Sequence, residues 1–221
     1  MAILRAATEV FLELGYRRTQ MADVAARIGV AKGTLYLYVA SKEALFDQVL
    51  MNADRSDAPS TPAVLPVPTP RPAETVQRLR ERIGREGGMP ALEAALIRRR
   101  RGDVRDEVQA IVRELYRLLV RHRIAIKLID RCAHDYPALA ELWFSAGRGG
   151  ALAQLQRYIT TRVRQKRLPA VVDAAISARL VLETAAWWAI HRHWDPEPQT
   201  FSDAHAEAAI VQFVTRALLG R

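Results

Sequence analysis

Apolar residues recur at helical spacing along nearly the whole chain. Leu4, Ala7, Phe11 and Leu14 form an i, i+3, i+7, i+10 stripe that runs into Gly15, a typical helix stop. The same periodicity predicts a helix over about 21–28 ending at Gly29, and another over about 32–39. A fourth starts after Ser41, a good N-cap, with Leu45, Phe46, Val49 and Leu50 on one side. Further helices are predicted at about 73–86, 90–101, 103–132, 137–166, 170–193 and 203–219, punctuated by Gly87-Gly88, Gly102, Pro137, Pro169 and Pro196/Pro198. Sustained period-two alternation is missing, so no strand is predicted. The fold class is all-α.

Between the two helical regions lies RSDAPSTPAVLPVPTPRP, residues 55–72, with six of the eleven prolines in the chain. No helix or ladder passes through such a run, and an extended linker is the expectation; a proline-motif ligand for a partner domain is the other use of such composition. The organisation is a head over 1–50, the end of helix four with the linker over 51–72, and a body over 73–221. Transmission across a flexible tether would be poor, so helix four is expected to dock on the body, against the 90–101 segment. No period of 20 to 50 residues recurs, which excludes a solenoid.

With 221 residues, half of them hydrophobic, the chain can bury a substantial core. No apolar run approaches the roughly 18 to 20 residues that span a bilayer. The single Cys132 cannot form an intrachain disulfide, so a cytoplasmic location is expected; its arginine-rich neighbourhood is the kind that lowers a thiol pKa and makes a redox switch, while a buried inert cysteine is the commoner use. Formal charge is +9, but residues 1–54 carry six basic and six acidic residues. The excess lies in 71–131, with sixteen basic against nine acidic residues. Net charge therefore does not by itself mark the head as a nucleic-acid binder.

The head has its own chemistry. Two helices joined through a short turn at Gly29 form a helix-turn-helix, whose second helix fits the DNA major groove. Val24, Ala25, Ile28, Val30 and Leu35 are apolar where the two helices pack. Lys32, Gly33, Thr34, Tyr36 and Tyr38 lie at the start and on the outward side of the second helix. Helical hairpins in ordinary bundles show the same pattern.

Residues 3–50, ILRAATEVFLELGYRRTQMADVAARIGVAKGTLYLYVASKEALFDQVL, resemble the N-terminal DNA-binding domain of the TetR family of bacterial transcriptional regulators. The features that carry the likeness are Phe11, Gly15-Tyr16, MADVA, Gly29-Val30, KGTLY and SKEALF, with HDYPALAELW (134–143) similar to a common segment of the body. The resemblance implies that Thr19 and Gln20 start helix two close to phosphates, and that Met21 faces the groove. It places Lys32, Gly33 and Thr34 against base edges or the nearby backbone, and Tyr36 against a base methyl or phosphate. Tyr38 would bond a phosphate where relatives often carry histidine, and Lys42 would neutralise one beside the N-terminus of helix four. Ala31 and Gln20 depart from the family's usual serine and serine or threonine, which weakens two caps.

The resemblance also implies a homodimer that binds a pseudo-palindromic double-stranded DNA operator and is released from it by a small-molecule effector. The last two helices carry more apolar surface than one covered face needs, with Ile176, Leu180, Trp188, Ile210, Phe213, Val214 and Ala217 as interface candidates. Tyr116, His122, Trp143, Phe144, Tyr158 and Trp187 are candidates for the effector pocket wall. The expected activity is a ligand-responsive repressor; the rival is a helical ligand-binding or scaffold protein that has lost DNA binding. No enzyme, cofactor or metal is expected. His191 and His193, at i and i+2, point about 200° apart on a helix, and GRGG at 147–150 lacks the preceding strand of a phosphate loop.

Overall fold

The computed structural model describes residues 2–54, 64–97, 102–197 and 199–220. The prolines and neighbours at 55–63 and the Arg98–Arg101 run lie outside them. Twelve α-helices are described: α1 (Ala2–Arg18), α2 (Met21–Ile28), α3 (Lys32–Tyr36), α4 (Lys42–Asn52), α5 (Glu74–Glu86), α6 (Pro90–Ile97), α7 (Val104–Arg121), α8 (Arg123–Ala133), α9 (Pro137–Leu142), α10 (Arg148–Arg164), α11 (Ala174–Ala189) and α12 (Asp203–Leu219). Among the described residues there is no strand, only an isolated bridge between Val39 and Val67. The all-α class holds, and none of the described helices is long and apolar enough to cross a membrane.

The chain divides into two compact units, and neither matches the head and body drawn from the sequence. Unit 1 comprises Met1–Glu86 and Ile124–Phe144; unit 2 comprises Gly87–Arg123 and Ser145–Arg221. The first core extends well past residue 50: Phe11, Val24, Leu35, Phe46 and Leu50 pack together with Val76 and Leu79 of α5, Leu128 and Cys132 of α8, and Leu139 of α9. Each such fully buried side chain contributes roughly 1.5–3 kcal/mol from removal of apolar surface from water.

Polar contacts within unit 1 account for this reassignment. Asp47, buried on α4, accepts from Thr75 Oγ1 at 2.9 Å and from Arg78 Nη1 at 2.8 Å. Arg82 donates to the Leu50 carbonyl at 2.8 Å. Asp54 accepts from the backbone N–H groups of Ile124 and Ala125, at 2.8 and 3.1 Å, satisfying two of the orphan donors that begin α8. Within unit 1 the partners that hold α4 are α1 and α5, with Leu128 and Cys132 of α8 in the same core.

Two long helices expected from periodicity are broken. The 103–132 run splits at His122 (φ −109°, ψ 24°) into α7 and α8. The 137–166 run is interrupted by a π-helical turn over Trp143–Gly147. The last turn of the 170–193 run is a 3-10 helix, His191–Trp194, where His193 Nε2 lies 3.7 Å from Asp203.

Unit 2 buries Val108, Ile111, Val112 and Leu115 of α7, Leu155 and Ile159 of α10, Val181 and Ala185 of α11, and Ile210 and Val214 of α12, with α7 packed on α11 and α12 and α10 packed on α11. Arg162, with 0% of its surface exposed, lies among them. Its Nε bonds Glu107 Oε2 at 2.7 Å, its Nη1 bonds Gln165 at 3.1 Å, and its Nη2 donates to the Ala95 carbonyl. Arg167 completes the cluster at 3.0 Å from Glu107 Oε1. A buried guanidinium with every group satisfied in this way is the form in which such charge is tolerated.

Candidate nucleic-acid interface

The geometry of the head follows from a few local rules. Gly15 interrupts α1 at φ 78°, ψ 175°, a conformation open to glycine at low cost. The space is tight as well: a Cβ there would sit 3.0 Å from Asp135 Oδ2, the same oxygen that accepts from the Arg17 N–H at 3.2 Å. Gly29 takes φ 71°, ψ 33° and returns its neighbours' N–H groups to the end of α2, Gly29 to Ala26 and Val30 to Ala25. This turn aims α3 outward.

α3 buries one residue, Leu35. Lys32, Gly33, Tyr36 and Tyr38 are exposed around it and Thr34 is half-buried, so all five outward candidates share an accessible surface. Ala31 begins the helix without a side-chain cap, as its methyl dictates. A Cβ added at Gly33 would meet nothing within 4 Å. The protein's own packing therefore does not call for glycine here, although glycine costs a helix roughly 0.5–1 kcal/mol relative to alanine. The open space suits close approach of another molecule.

Three of the expected contacts are taken up by the head itself. Thr19 is buried, 1% exposed, and its hydroxyl donates to the Gly15 carbonyl at 2.7 Å. Met21 is buried in the core and does not face outward. Lys42 Nζ donates to the carbonyls of Tyr16 at 3.1 Å and Thr19 at 3.2 Å, and lies 4.7 Å from the Tyr16 ring centroid. Its charge caps the end of α1, where the helix dipole favours a cation. Gln20 remains exposed; its N–H donates to Asp23 Oδ2 at 2.8 Å, the half of a capping box that the N3 side chain supplies.

Two features were not expected. Arg17 and Arg18, in the last turn of α1, are exposed just before α2. Part of the supposed linker is also built into the head. Val67 donates to the Tyr38 carbonyl at 2.8 Å and accepts from Ala40 at 2.9 Å, while Thr69 bonds the Ser41 hydroxyl at 2.9 Å. Residues 64–69 thereby brace the joint between α3 and α4. The prolines announced only that no helix would form, and pairing with residues nearly thirty positions upstream has no local signature.

Cys132 has no exposed surface, and its Sγ lies 4.0 Å from the Phe11 carbonyl. Burial pushes the thiol up to about 12, outweighing the opposite pull of Arg131. Iodoacetamide should label Cys132 at pH 8 only on the timescale of unfolding, followed by mass spectrometry; labelling at the rate of a free thiol would contradict this burial. The arginine-rich sequence around it does not make it a redox site.

The remaining candidates are scattered. Trp143 and Phe144 belong to unit 1, and Tyr116, His122, Tyr158 and Trp187 to unit 2, so the six do not line one wall within a unit. Tyr116 and Tyr158 are buried, with hydroxyls directed at Asp203 (3.4 Å) and Glu107 (3.3 Å); burial, then Asp203, pushes Tyr116 up to about 12. Of the interface candidates, Ile176, Leu180, Phe213 and Ala217 are exposed. Trp188 is half-buried, in edge contact with Trp187 and Phe201. Ile210 and Val214 face inward, 3% exposed each, because one side of α12 packs on α7.

The model of the bacterial regulatory proteins of the tetR family matches residues 3–49. The match is to the head: residues 3–49 are similar to the DNA-binding segment of that family. Among curated relatives, an uncharacterized HTH-type transcriptional regulator of Bacillus subtilis, YhgD, is 40% identical over 68 residues, which are 27% of this chain and 36% of that protein. The fatty acid metabolism regulator protein of Bacillus subtilis is 49% identical over 43 residues, 20% of this chain and 22% of that one. The matched stretch thus spans about a third or less of these relatives. Among solved structures, the TetR family regulator PfmR of Thermus thermophilus has a TM-score of 0.56 at 20% identity, covering 99% of this chain and 95% of that one. A TetR family member from Streptomyces coelicolor likewise gives 0.56 at 20% identity, over 99% and 89%. The likeness of the TetR fold therefore extends over the whole chain, while the sequence likeness is confined to the head.

Proposed function

We propose that this chain is a ligand-responsive transcriptional regulator that reads a palindromic double-stranded DNA operator as a homodimer and is released from it by a small-molecule effector, acting as a repressor in the cytoplasm. The observation that carries the reading is α3 and the turn after it: a short helix buried only through Leu35, with Lys32, Gly33 and Tyr36 on it and Tyr38 just beyond it exposed to solvent, in a head similar to that of the tetR family. Lys32 and Thr34 supply charge and a hydroxyl, Gly33 permits backbone approach, and the two phenols offer apolar edges with polar tips. In this reading Gln20 keeps the phosphate role it shared with Thr19, and the exposed Arg17 takes the one expected of Lys42.

One such helix reads only a few base pairs, so two copies are required. Ile176, Leu180 and Trp187 form an exposed apolar stripe on α11, and Phe213 is exposed on α12, which supports pairing through these helices. Effector binding in the body would change the spacing of the two recognition helices, with a coupling of about 1–3 kcal/mol sufficient for release. The chain's work in this reading is binding rather than catalysis.

Selection of bound sequences from random duplex DNA tests the proposal. A palindrome is the expected product. A folded dimer that enriches nothing at low salt, with or without candidate effectors, would favour the ligand-binding or scaffold reading, to which the occupied Thr19, Met21 and Lys42 side chains lend support.

A further inference from the structure

Unit 2 carries a groove of about 530 Å³ between α7 and α12 that none of the expected effector residues lines. Four arginines, Arg105, Arg113, Arg117 and Arg216, border it against a single acid, Glu207. Glu207 is already shared: Arg117 holds both its oxygens, at 2.8 and 2.9 Å, and Arg113 Nε lies 3.4 Å away. A guanidinium has five N–H donors, and this clamp uses two from Arg117, so donors remain while the two side chains are held in place. The lining keeps a net positive charge.

A second observation points the same way. Thr215, also in the lining, is 1% exposed, and its Oγ1 has no hydrogen-bond partner among the described residues. A buried hydroxyl without a partner is costly, and such groups are normally satisfied in native proteins. An oxyanion in the groove would accept from it. On α7, Arg105 and Arg117 are twelve residues apart, about 18 Å along the axis. One small anion cannot engage that whole length.

We infer that the α7–α12 groove binds an elongated small molecule carrying two or more phosphate or carboxylate groups, with Arg113, Arg117, Arg216 and Thr215 as its donors. The site concerns binding by the protein alone and does not depend on the DNA-reading proposal.

Titration calorimetry of the full chain at low salt tests it, with tripolyphosphate as the phosphate probe and citrate as the carboxylate probe. One-to-one binding of at least one probe is expected. Thr215→Val and Arg216→Gln should each weaken it about tenfold or more, the size of one hydrogen bond to a charged group. Arg179→Gln, on α11 outside the groove, should leave it unchanged. Thr215→Val should also leave the melting temperature unchanged or raise it, because it removes an unpaired buried hydroxyl. Failure of both probes to bind, equal binding by all variants, or a lowered melting temperature for Thr215→Val would overturn the assignment. A preference between the probes would identify which oxyanion the groove takes.

Discussion

Lys32→Ala/Tyr36→Ala should lower affinity for the selected duplex by about a hundredfold or more without unfolding the head. Each contact that reads a base is worth roughly 1–3 kcal/mol, so losing two on each protomer costs about 4 kcal/mol or more, near a thousandfold, and a hundredfold needs only about two-thirds of that. Both side chains are exposed, Tyr36 by 40%, and substitutions at such positions usually change stability by no more than about 0.5 kcal/mol. Fluorescence anisotropy with the selected and a scrambled duplex measures both effects, alongside circular dichroism of the variant. If Lys32 touches a phosphate, its loss reduces the salt slope by about one. The wild-type slope should itself be shallow, because Arg27 is paired with Glu9 and Glu13 and Lys42 is engaged with carbonyls. Unchanged affinity in the double variant would remove α3 from the interface.

Arg162→Ala should cost unit 2 about 3–5 kcal/mol, the usual consequence of removing one partner from a buried ion pair. The loss leaves the Ala95 carbonyl without this donor and Glu107 with Arg167 and the Tyr158 hydroxyl for neutralisation. It also leaves a cavity the size of the side chain. Arg162→Met, which fills the volume, should recover part of the loss. Urea unfolding followed by tryptophan fluorescence measures it. The chain has two compact units, so separate transitions are fitted where they occur. A cost below about 1 kcal/mol would show that solvent reaches the cluster.

The contrast between these two variants reflects how differently the two regions were legible. In the head, spacing alone placed α1 to α4, with Gly29 at positive φ ending α2 and Ser41 accepting from the Ala44 N–H at 3.1 Å to begin α4. The ends it missed are those of α1, which runs past Gly15 to Arg18, and of α3, which stops at Tyr36 and not at 39. The outward face of α3 was legible too, since Leu35 is its one apolar position that the helix pair must bury. Arg162, by contrast, sits in an arginine-rich stretch that reads as a solvated surface. Nothing in its neighbourhood announces Glu107, 55 positions earlier, as its partner.

The sequence by itself determined the helical class, the helix-turn-helix and the residues that α3 can present, because periodicity, glycine conformation and capping act within a few residues. Tertiary structure decided which of those residues are available. Thr19, Met21 and Lys42 have the right chemistry for DNA but meet better partners in the fold: a carbonyl four residues back, an apolar core and the open end of α1. It also decided that Val67 braces α3, that α8 packs in the unit that holds the head, and that Thr215 faces an arginine-lined groove. Those outcomes depend on contacts between residues far apart in the chain, whose net energies come from burial and desolvation. Such terms are fixed only when the whole set of helices has packed.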